Sequence, residues 1–344
     1  MSKPELVSIL IPAYNAERWL PDTVRSALAQ TWPRTEIIIV NDGSKDRTFE
    51  VARSFESKSV KAITQPNMGA PIARNRALEA AQGSFIQWLD ADDLLDPEKL
   101  TRQMRVAREV GDRRVLLSCP FGTFYYRPHK AEFVETSLWR DLTPVEYLLS
   151  RFNDNVCFQT DAWLVSRELT EATGPWTDVG SPDDDGEYFC RMATRSRGVK
   201  FVGDARTYYR VGNFGSLSRR ASDVALNALF GSKVKCIDYL LALEDSPRTR
   251  AACVRLLQDW MPYFYPEQQA IIDRAQQLAR RLGGELHPPP LKWKYRPIAG
   301  LFGYHTALKA SRVLPRLRAQ ATCNWDKFLY DRRHRPQLAF EDRT

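Results

Sequence analysis

The first hundred residues alternate short apolar runs with segments of helical periodicity. Apolar runs of this kind, bounded by polar turns, predict strands that are buried on both faces. We predict four such strands, at Leu6–Ile11, Glu36–Val40, Val60–Thr64 and Ser84–Asp90. The helices predicted between them lie near Trp19–Gln30, from a cap at Ser44 to about Phe55, and at Ala70–Ala81. This alternation predicts a parallel sheet that is covered by helices.

Polar loops follow three of these strands. The string "PAYNAE" begins at Pro12, "VNDGS" begins at Val40, and "DADD" begins at Asp90. Parallel strands place their carboxyl ends at one edge of the sheet, and ligands of such sheets bind at that edge. We therefore expect the three loops to meet in one binding site.

The third loop carries a high density of negative charge, with aspartates at 90, 92, 93 and 96. Asp90 and Asp92 are two residues apart, so they point the same way in an extended chain. Mg²⁺ is commonly held by one or two carboxylates together with substrate phosphates. For this pair alone, a metal site and a surface turn are equally open interpretations. Asp96 precedes Pro97 and is expected to cap a helix, and Asp93 is expected to be solvated.

The remaining chain has a mixed pattern that ends in predicted helices. A second acidic run at Ser181–Met192 predicts the start of one helix. Two more helices are predicted at Leu226–Leu243 and Gln268–Leu282. His287–Pro297 contains three consecutive prolines and is expected to be a stiff linker.

Composition narrows the class of protein. Of the 344 residues, 43% are apolar, which is enough for a large core and too much for a disordered chain. The six cysteines are scattered without a CxxC pair, which fits a reducing compartment better than disulfides or a zinc site. The sequence has no apparent signal peptide and no apolar run long enough to cross a bilayer. We expect a cytoplasmic protein that is soluble or peripheral to the inner face of the membrane.

Positive charge is concentrated in the C-terminal segment. From His287 onward there are twelve Lys or Arg residues and four Asp or Glu residues, a surplus equal to the +8 of the whole chain. A basic helix is predicted at Ala299–Leu314, ended by Pro315, with Lys309 and Arg312 on one face. An interfacial helix on an anionic membrane and a solvated helix packed on its own domain both fit this pattern. Binding of nucleic acid fits it less well, and we predict none.

Four strings together resemble the signature of family 2 glycosyltransferases. They are "VSILIPAYNAERWL", "EIIIVNDGSKDRT", "NMGAPIARNRALEAAQGSFIQWLDADD" and "PDDDGEYFCRM", and the resemblance runs from about Leu6 to Leu217. It implies an α/β chain of GT-A fold, Rossmann-like, with a mainly parallel central sheet flanked by helices and a helical C-terminal extension. We expect a glycosyltransferase domain over residues 1–220, the helical extension over 221–286 and the basic tail over 287–344.

The resemblance also implies a role for each loop. The nucleotide would be bound by residues from the first three loops and the helix after them, namely Pro12, Ala13, Tyr14, Asn15, Glu17, Asp42, Arg74, Asn75 and Asp90. Asp42 would bind the base, Arg74 and Asn75 would face the diphosphate, and Asp90 would face the ribose. Asp92 would hold Mg²⁺ or Mn²⁺. A turn aspartate at 42 and a solvated helix face at Arg74 are the alternatives to these roles.

The second acidic run would supply the catalytic base. The resemblance assigns that role to Asp185, with Asp184, Arg191 and Arg210 as secondary candidates. Asp184 stands where the family more often has glutamate. Gly212 stands where the family often has a histidine that contacts metal or phosphate, and two serines, Ser216 and Ser218, are candidates for a lid. An acidic cluster that merely opposes the helix dipole is the alternative for the aspartates.

The resemblance implies sugar transfer by inversion, from a nucleotide-diphosphate donor to a hydroxyl group. The QxxRW string of processive polysaccharide synthases is absent, which favours transfer of a single sugar. UDP-sugars are the default donors, and the acceptor is a glycan, a lipid-linked molecule or a small molecule. Two alternatives stay open, a degenerate nucleotide-sugar-binding protein and a sugar-phosphate nucleotidylyltransferase. Trp163 and Trp176 could stack on an acceptor sugar or pack in the core.

Overall fold

The computed structural model describes residues 4–177, 180–212 and 222–333, and a five-stranded sheet organises its larger part. Ser216, Ser218 and the expected domain boundary near residue 220 lie outside these ranges. The strands are β1 (Val7–Ala13), β2 (Thr35–Asp42), β3 (Val60–Gln65), β4 (Phe85–Trp88), β5 (Leu94–Leu95), β6 (Val115–Ser118), β7 (Phe121–Phe124), β8 (Glu132–Phe133), β9 (Val165–Ser166), β10 (Gly198–Phe201) and β11 (Thr207–Arg210). The helices are α1 (Leu20–Leu28), α2 (Thr48–Ser54), α3 (Ala70–Ala80), α4 (Lys99–Val110), α5 (Pro144–Asp154), α6 (Arg167–Thr173), α7 (Asp184–Arg195), α8 (Asp223–Leu243), α9 (Pro247–Phe264), α10 (Gln269–Arg281), α11 (Arg296–Phe302) and α12 (Tyr304–Arg333).

The central sheet has the strand order β3-β2-β1-β4-β9. The first four strands are parallel, and β9 pairs antiparallel to β4. In the register of this sheet, Ala13 lies opposite Asn41 and Leu10 lies opposite Trp88. The predicted parallel sheet is confirmed, and the polar loops after β1, β2 and β4 leave it at the same edge.

The apolar runs become strands because both faces of the sheet are covered. Successive side chains of a strand point to opposite faces. In β1, Ile9, Leu10 and Ile11 are all fully buried, so neither face of this strand meets water. Helix α3 packs on β1 and β2.

The helical extension is continuous with the sheet-bearing unit. Helix α8 packs on α7, α9 packs on α5 and α8, and α10 packs on α9. The sequence pattern does not predict α9, which begins at Pro247 and contains a second proline, Pro262, in its last turn. Pro247 sits in the first turn, where its missing N–H costs no helical hydrogen bond.

The described residues form two compact units. The first contains residues 4–122, 133–209 and 222–289, and the second contains 123–132, 210–212 and 290–333. The glycosyltransferase region and the helical extension, predicted as separate domains, thus fall mainly into one unit.

The basic segment of the second unit differs from its prediction. It forms two helices, α11 and α12, separated by Gly303, and Pro315 lies inside α12 instead of ending it. Proline removes one N–H donor, here the one that would bind the carbonyl of Ser311, and the remaining bonds keep the helix on both sides. No helix among the described residues combines the length and the apolar character needed to span a bilayer.

Two local predictions in the first unit are wrong. Ser44 does not cap α2, which begins at Thr48; its hydroxyl instead accepts a hydrogen bond from the N–H of Asn15 at 3.0 Å. Asp93 is not solvated but buried, with 1% of its surface exposed. Asp96 stabilises the turn before α4, accepting from the N–H of Glu98 at 3.1 Å, and the helix begins two residues after Pro97.

Gly83 lies very close to the backbone of β1, and this close approach can be tested. A Cβ atom at this position would lie 2.6 Å from the backbone nitrogen of Ser8. We expect Gly83→Ala to lower the free energy of unfolding by about 1–3 kcal/mol, as overpacking does. Gly231→Ala is the control, because a Cβ there meets nothing within 4 Å in helix α8, so this change should be neutral or stabilising. Urea unfolding of both variants measures the difference, and equal stability of the two would contradict the packing.

Candidate functional site

The loop after β1 is fixed to the loop after β2. Pro12 and Ala13 end the strand in buried positions, whereas Tyr14 is 43% exposed. Asn15 adopts a positive φ of 50°, and its side-chain oxygen accepts from the N–H of Lys45 at 2.8 Å. The carboxylate of Glu17 accepts from the N–H of Arg47, also at 2.8 Å. The two loops therefore form one wall at the edge of the sheet, with Tyr14 accessible on it.

Asp42 at the end of β2 organises a third loop. Its carboxylate accepts hydrogen bonds from the Nε2 of Gln65 at 2.8 Å, the N–H of Met68 at 2.9 Å and the N–H of Gly69 at 2.8 Å. These bonds hold the turn between β3 and α3, which begins directly after Gly69. The alternative of a structural turn aspartate thus has direct support, alongside the base-binding role that the resemblance implies.

Arg74 joins the two acidic runs of the sequence. This side chain on α3 is buried, and its guanidinium donates to Asp90 at 2.9 Å and to Asp184 at 2.8 Å. Burial alone would lower the pKa of Arg74, but the negative charges of Asp184, Asp90 and Asp185 outweigh it and raise the pKa. The arginine is therefore a permanent cation shared by the end of β4 and the start of α7.

The residues around Arg74 fix its position. Its guanidinium lies over the ring of Trp176 at 4.4 Å, and Trp176 stacks on Tyr188 with ring centroids 3.8 Å apart. Asn75 exchanges two hydrogen bonds of 2.9 Å with the backbone of Trp176. Asn75 thus holds the segment before the second acidic run. Trp176 and Trp163 are buried, so the core alternative holds for both.

The proposed base lies in the first turn of α7. Burial raises the pKa of Asp185 to about 7, and the neighbouring charges of Asp183 and Asp184 add to the effect. The pKa of Asp184 is raised as well, first by burial and then by Asp90, against the lowering effect of Arg74. A carboxylate with a pKa near neutrality is suited to accept a proton at physiological pH.

A second charge cluster packs against the first turn of α7. Asp183 pairs with Lys233 of α8 and lies 3.7 Å from a guanidinium nitrogen of Arg151 of α5. A Cβ at Gly186 would meet the Asp183 carboxylate at 2.3 Å, so this glycine serves the fit of Asp183 against the helix. The sequence pattern did not indicate this cluster, since its members are widely separated along the chain.

Tyr209 is a site residue that the sequence analysis missed. Burial raises the pKa of its phenol, and the charges of Asp93, Asp92, Asp185 and Asp90 raise it further. The carboxylates from both acidic runs therefore act on one phenol at the end of β11. The string "YYR" marks this strand but does not indicate which tyrosine faces the acids.

The residues present fit a hard divalent cation. Asp92 is partly accessible, and its charge acts on Tyr209 together with the charges of the other aspartates. No group of three or more His, Cys, Asp or Glu side chains in the described residues forms a complete metal cage. A Mg²⁺ or Mn²⁺ ion shared with substrate phosphates does not need such a cage.

The two secondary arginines have structural contacts. Arg191 pairs with Glu187 at 2.8 Å and donates to the carbonyl of Thr173 at 2.7 Å. Arg210 belongs to the second unit, where it donates to the carbonyl of Tyr125 at 3.0 Å. Arg210 is buried and Arg191 is partly buried, and these contacts hold both side chains in place.

Gly212 has a packing reason within the second unit. Its φ is +95°, and a Cβ there would lie 2.8 Å from the sulfur of Cys323 and 2.9 Å from the ring of Tyr125. A histidine does not fit at this position in the present packing. The surrounding packing therefore explains why glycine stands at position 212, where the family often has histidine.

Comparison with known proteins relates the N-terminal half of the chain to a family. Residues 8–173 match the model described as glycosyl transferase family 2. Similar proteins include the uncharacterized glycosyltransferase RT0329 of Rickettsia typhi, 35% identical over 38% of this chain and 41% of its own. YibD of Escherichia coli, an uncharacterized glycosyltransferase, is 38% identical over 32% of each chain. The chain thus aligns with about two fifths or less of the length of these relatives.

Solved structures share the fold over most of the chain. TarS of S. aureus in complex with UDP-GlcNAc has a TM-score of 0.66 at 17% identity, covering 89% of this chain and 91% of the other. The mannosyltransferase PcManGT of Pyrobaculum calidifontis, in complex with GDP-Man and Mn²⁺, has a TM-score of 0.51 at 18% identity, covering 90% and 87%. These likenesses establish the GT-A fold, with the helical C-terminal region included. Over residues 8–173, just under half of its length, the chain carries a glycosyltransferase domain of family 2.

Proposed function

We propose that this protein is an inverting glycosyltransferase that moves a single sugar from a nucleotide-diphosphate donor, by default a UDP-sugar, to an acceptor hydroxyl. The observation that carries the proposal is the pair of hydrogen bonds from Arg74 to Asp90 and Asp184. They bring the donor-side loop and the proposed base helix to one place. The acceptor is a glycan, a lipid-linked molecule or a small molecule.

Asp185 is the proposed general base. It accepts the proton of the acceptor hydroxyl while that oxygen attacks the anomeric carbon of the donor. The new carbon–oxygen bond forms as the bond to the diphosphate oxygen breaks, so the configuration of that carbon inverts. Asp184 is held by Arg74 and keeps the first turn of the helix in place.

The donor side is assigned to the loops at the sheet edge. We propose that Tyr14 and the loop around Asn15 and Glu17 contact the nucleoside, with Asp42 shaping the neighbouring loop and Asp90 near the ribose. Asp92 would hold Mg²⁺ or Mn²⁺ beside the phosphates. When bound, such an ion neutralises the charge that develops on the leaving diphosphate.

We also propose that the protein works at the surface of an anionic membrane, as a peripheral protein of the cytoplasmic face. The support is the charge surplus of the C-terminal segment. Nucleic acid is not among the proposed partners.

The proposed base leads to a pH prediction. Asp185→Asn should abolish sugar transfer while leaving donor affinity nearly unchanged, because the amide keeps the shape but accepts no proton. For the unmodified protein, kcat/KM should fall as the pH drops through about 7, since Asp185 is then protonated and inactive. Both effects are measured by steady-state transfer or donor hydrolysis. The pH range of the assay, from about 5 to about 9, brackets this pKa. Near-native turnover of the variant would move the base elsewhere.

The proposed metal ligand has a separate test. Asp92→Ala should weaken nucleotide binding in the presence of Mn²⁺ by about tenfold or more, because the variant removes a direct ligand. Binding without metal should change little. Calorimetry with UDP, with and without Mn²⁺, measures both affinities. An equal loss under both conditions would contradict a metal role for Asp92.

The shared cation predicts a large stability effect. Arg74→Met should cost about 3 kcal/mol of unfolding free energy, because it leaves two partly buried carboxylates without their counter-charge. Arg76→Met on the same helix is the control, since Arg76 forms an exposed pair with Glu79 at 3.0 Å and should cost less than about 1 kcal/mol. Denaturant unfolding at pH 8 compares the two. A difference within error would show that Arg74 does not hold the two acidic runs together.

A further inference from the structure

We infer that the second unit holds the phosphate headgroup of an anionic phospholipid in a cleft while an apolar stripe of α12 enters the membrane interface. The inference rests on the proposed membrane association and names the surface responsible. It does not depend on the sugar-transfer chemistry, which is assigned to residues of the first unit.

The stripe is formed by Leu314, Leu317, Ala321, Trp325 and Phe328. These residues recur at intervals of three and four, so they line one side of the helix over about four turns. All five are exposed, and Leu317 and Trp325 are 58% and 61% accessible. An apolar helix side this long, facing solvent, marks an interaction surface.

Exposed apolar side chains are concentrated in this unit. Of fourteen exposed large hydrophobic residues among those described, eight lie between Trp293 and Phe328. Trp293, just before α11, and Leu301 and Phe302 at the end of α11 are between 68% and 81% exposed. Tryptophan and phenylalanine are typical of helices that lie in the interface plane of a bilayer.

A cleft opens beside the stripe. It has a volume of about 510 Å³ and is lined by residues of α12 and of the segment before α11. Lys294 and Arg318 provide two cations in its lining, Tyr125 and Tyr295 provide phenol rings, and Leu314 connects it to the stripe. Two cations in an otherwise largely apolar lining suit a phosphate group that carries an apolar body.

The positive charge of the second unit favours an anionic membrane as the partner of this surface. Residues 290–333 contain ten Lys or Arg residues and two Asp or Glu residues. A second copy of the chain would bring the same positive charge to the contact and be repelled. An anionic bilayer attracts it, by about 1 kcal/mol for each basic residue close to the lipid surface.

The first experiment tests the stripe with the full-length chain. Leu317→Glu/Phe328→Glu should reduce sedimentation with vesicles of phosphatidylglycerol and phosphatidylcholine by about 100-fold or more, because two apolar contacts are replaced by charges that the lipid repels. Val134→Glu is the control, since Val134 is 67% exposed in the first unit and should have little effect. Pure phosphatidylcholine should bind the unmodified chain weakly.

The second experiment tests the cleft. Lys294→Gln/Arg318→Gln should weaken binding to the same vesicles by about 30-fold, at about 1 kcal/mol for each charge. Lys309→Gln/Arg316→Gln removes the same charge from exposed positions on the other side of α12, and we expect a loss of less than about fivefold. Equal losses in the two double variants would overturn the cleft as the headgroup site.

Several outcomes would overturn the inference as a whole. The first is failure of the full chain to bind anionic vesicles at low salt. The second is a thermal shift with inorganic phosphate in the absence of vesicle binding. The third is a change of oligomeric state in the stripe variant. Calorimetry with UDP measures donor binding by the same variants. This measurement separates a failure of the membrane inference from a failure of the proposed sugar transfer.

Discussion

The candidate site depends on one buried guanidinium. Arg74 pairs with one carboxylate at the end of β4 and with another at the start of α7, which are 94 residues apart in numbering, from 90 to 184. Without this cation, the negative charges of the two runs would repel each other in a partly desolvated space. The aromatic stack of Trp176 and Tyr188 restricts the position of the arginine side chain. The arrangement explains how two acidic segments can lie side by side in a folded protein.

Much of the first unit could be predicted from the sequence, because its signals are local. The solidly apolar runs around Ile9 and Ile38 could only be strands buried on both faces, and the polar strings that follow them had to lie at the same edge. The positions of Asp90 and Asp185 were identified from motifs. Their convergence followed from the fold that the motifs implied, and the structure brings both runs to Arg74.

The contacts that the sequence did not reveal are tertiary. Asp42 accepts from three donors at the end of β3 and in the loop after it, more than twenty residues later, and no local pattern contains these pairings. Tyr209 meets the acidic runs only because β11 pairs antiparallel with β5, where Thr207 lies opposite Leu95. Pro315 looked like the end of a helix, since propensity penalises proline, but one lost hydrogen bond does not outweigh the bonds on both sides of it.

The cluster of Asp183, Lys233 and Arg151 changes how the helical extension should be regarded. In the sequence, α8 follows the glycosyltransferase motifs and resembles a dispensable appendage. In the structure, its lysine neutralises the aspartate beneath the first turn of α7, and Cys236 of the same helix packs near the carbonyl of Gly186 at 3.9 Å. A shortened chain that ended after the last motif would leave Asp183 with one of its two cationic neighbours and would expose the turn that carries the proposed base to water. The segment that the motifs define therefore depends on α8 for the packing and the charge balance of its last helix.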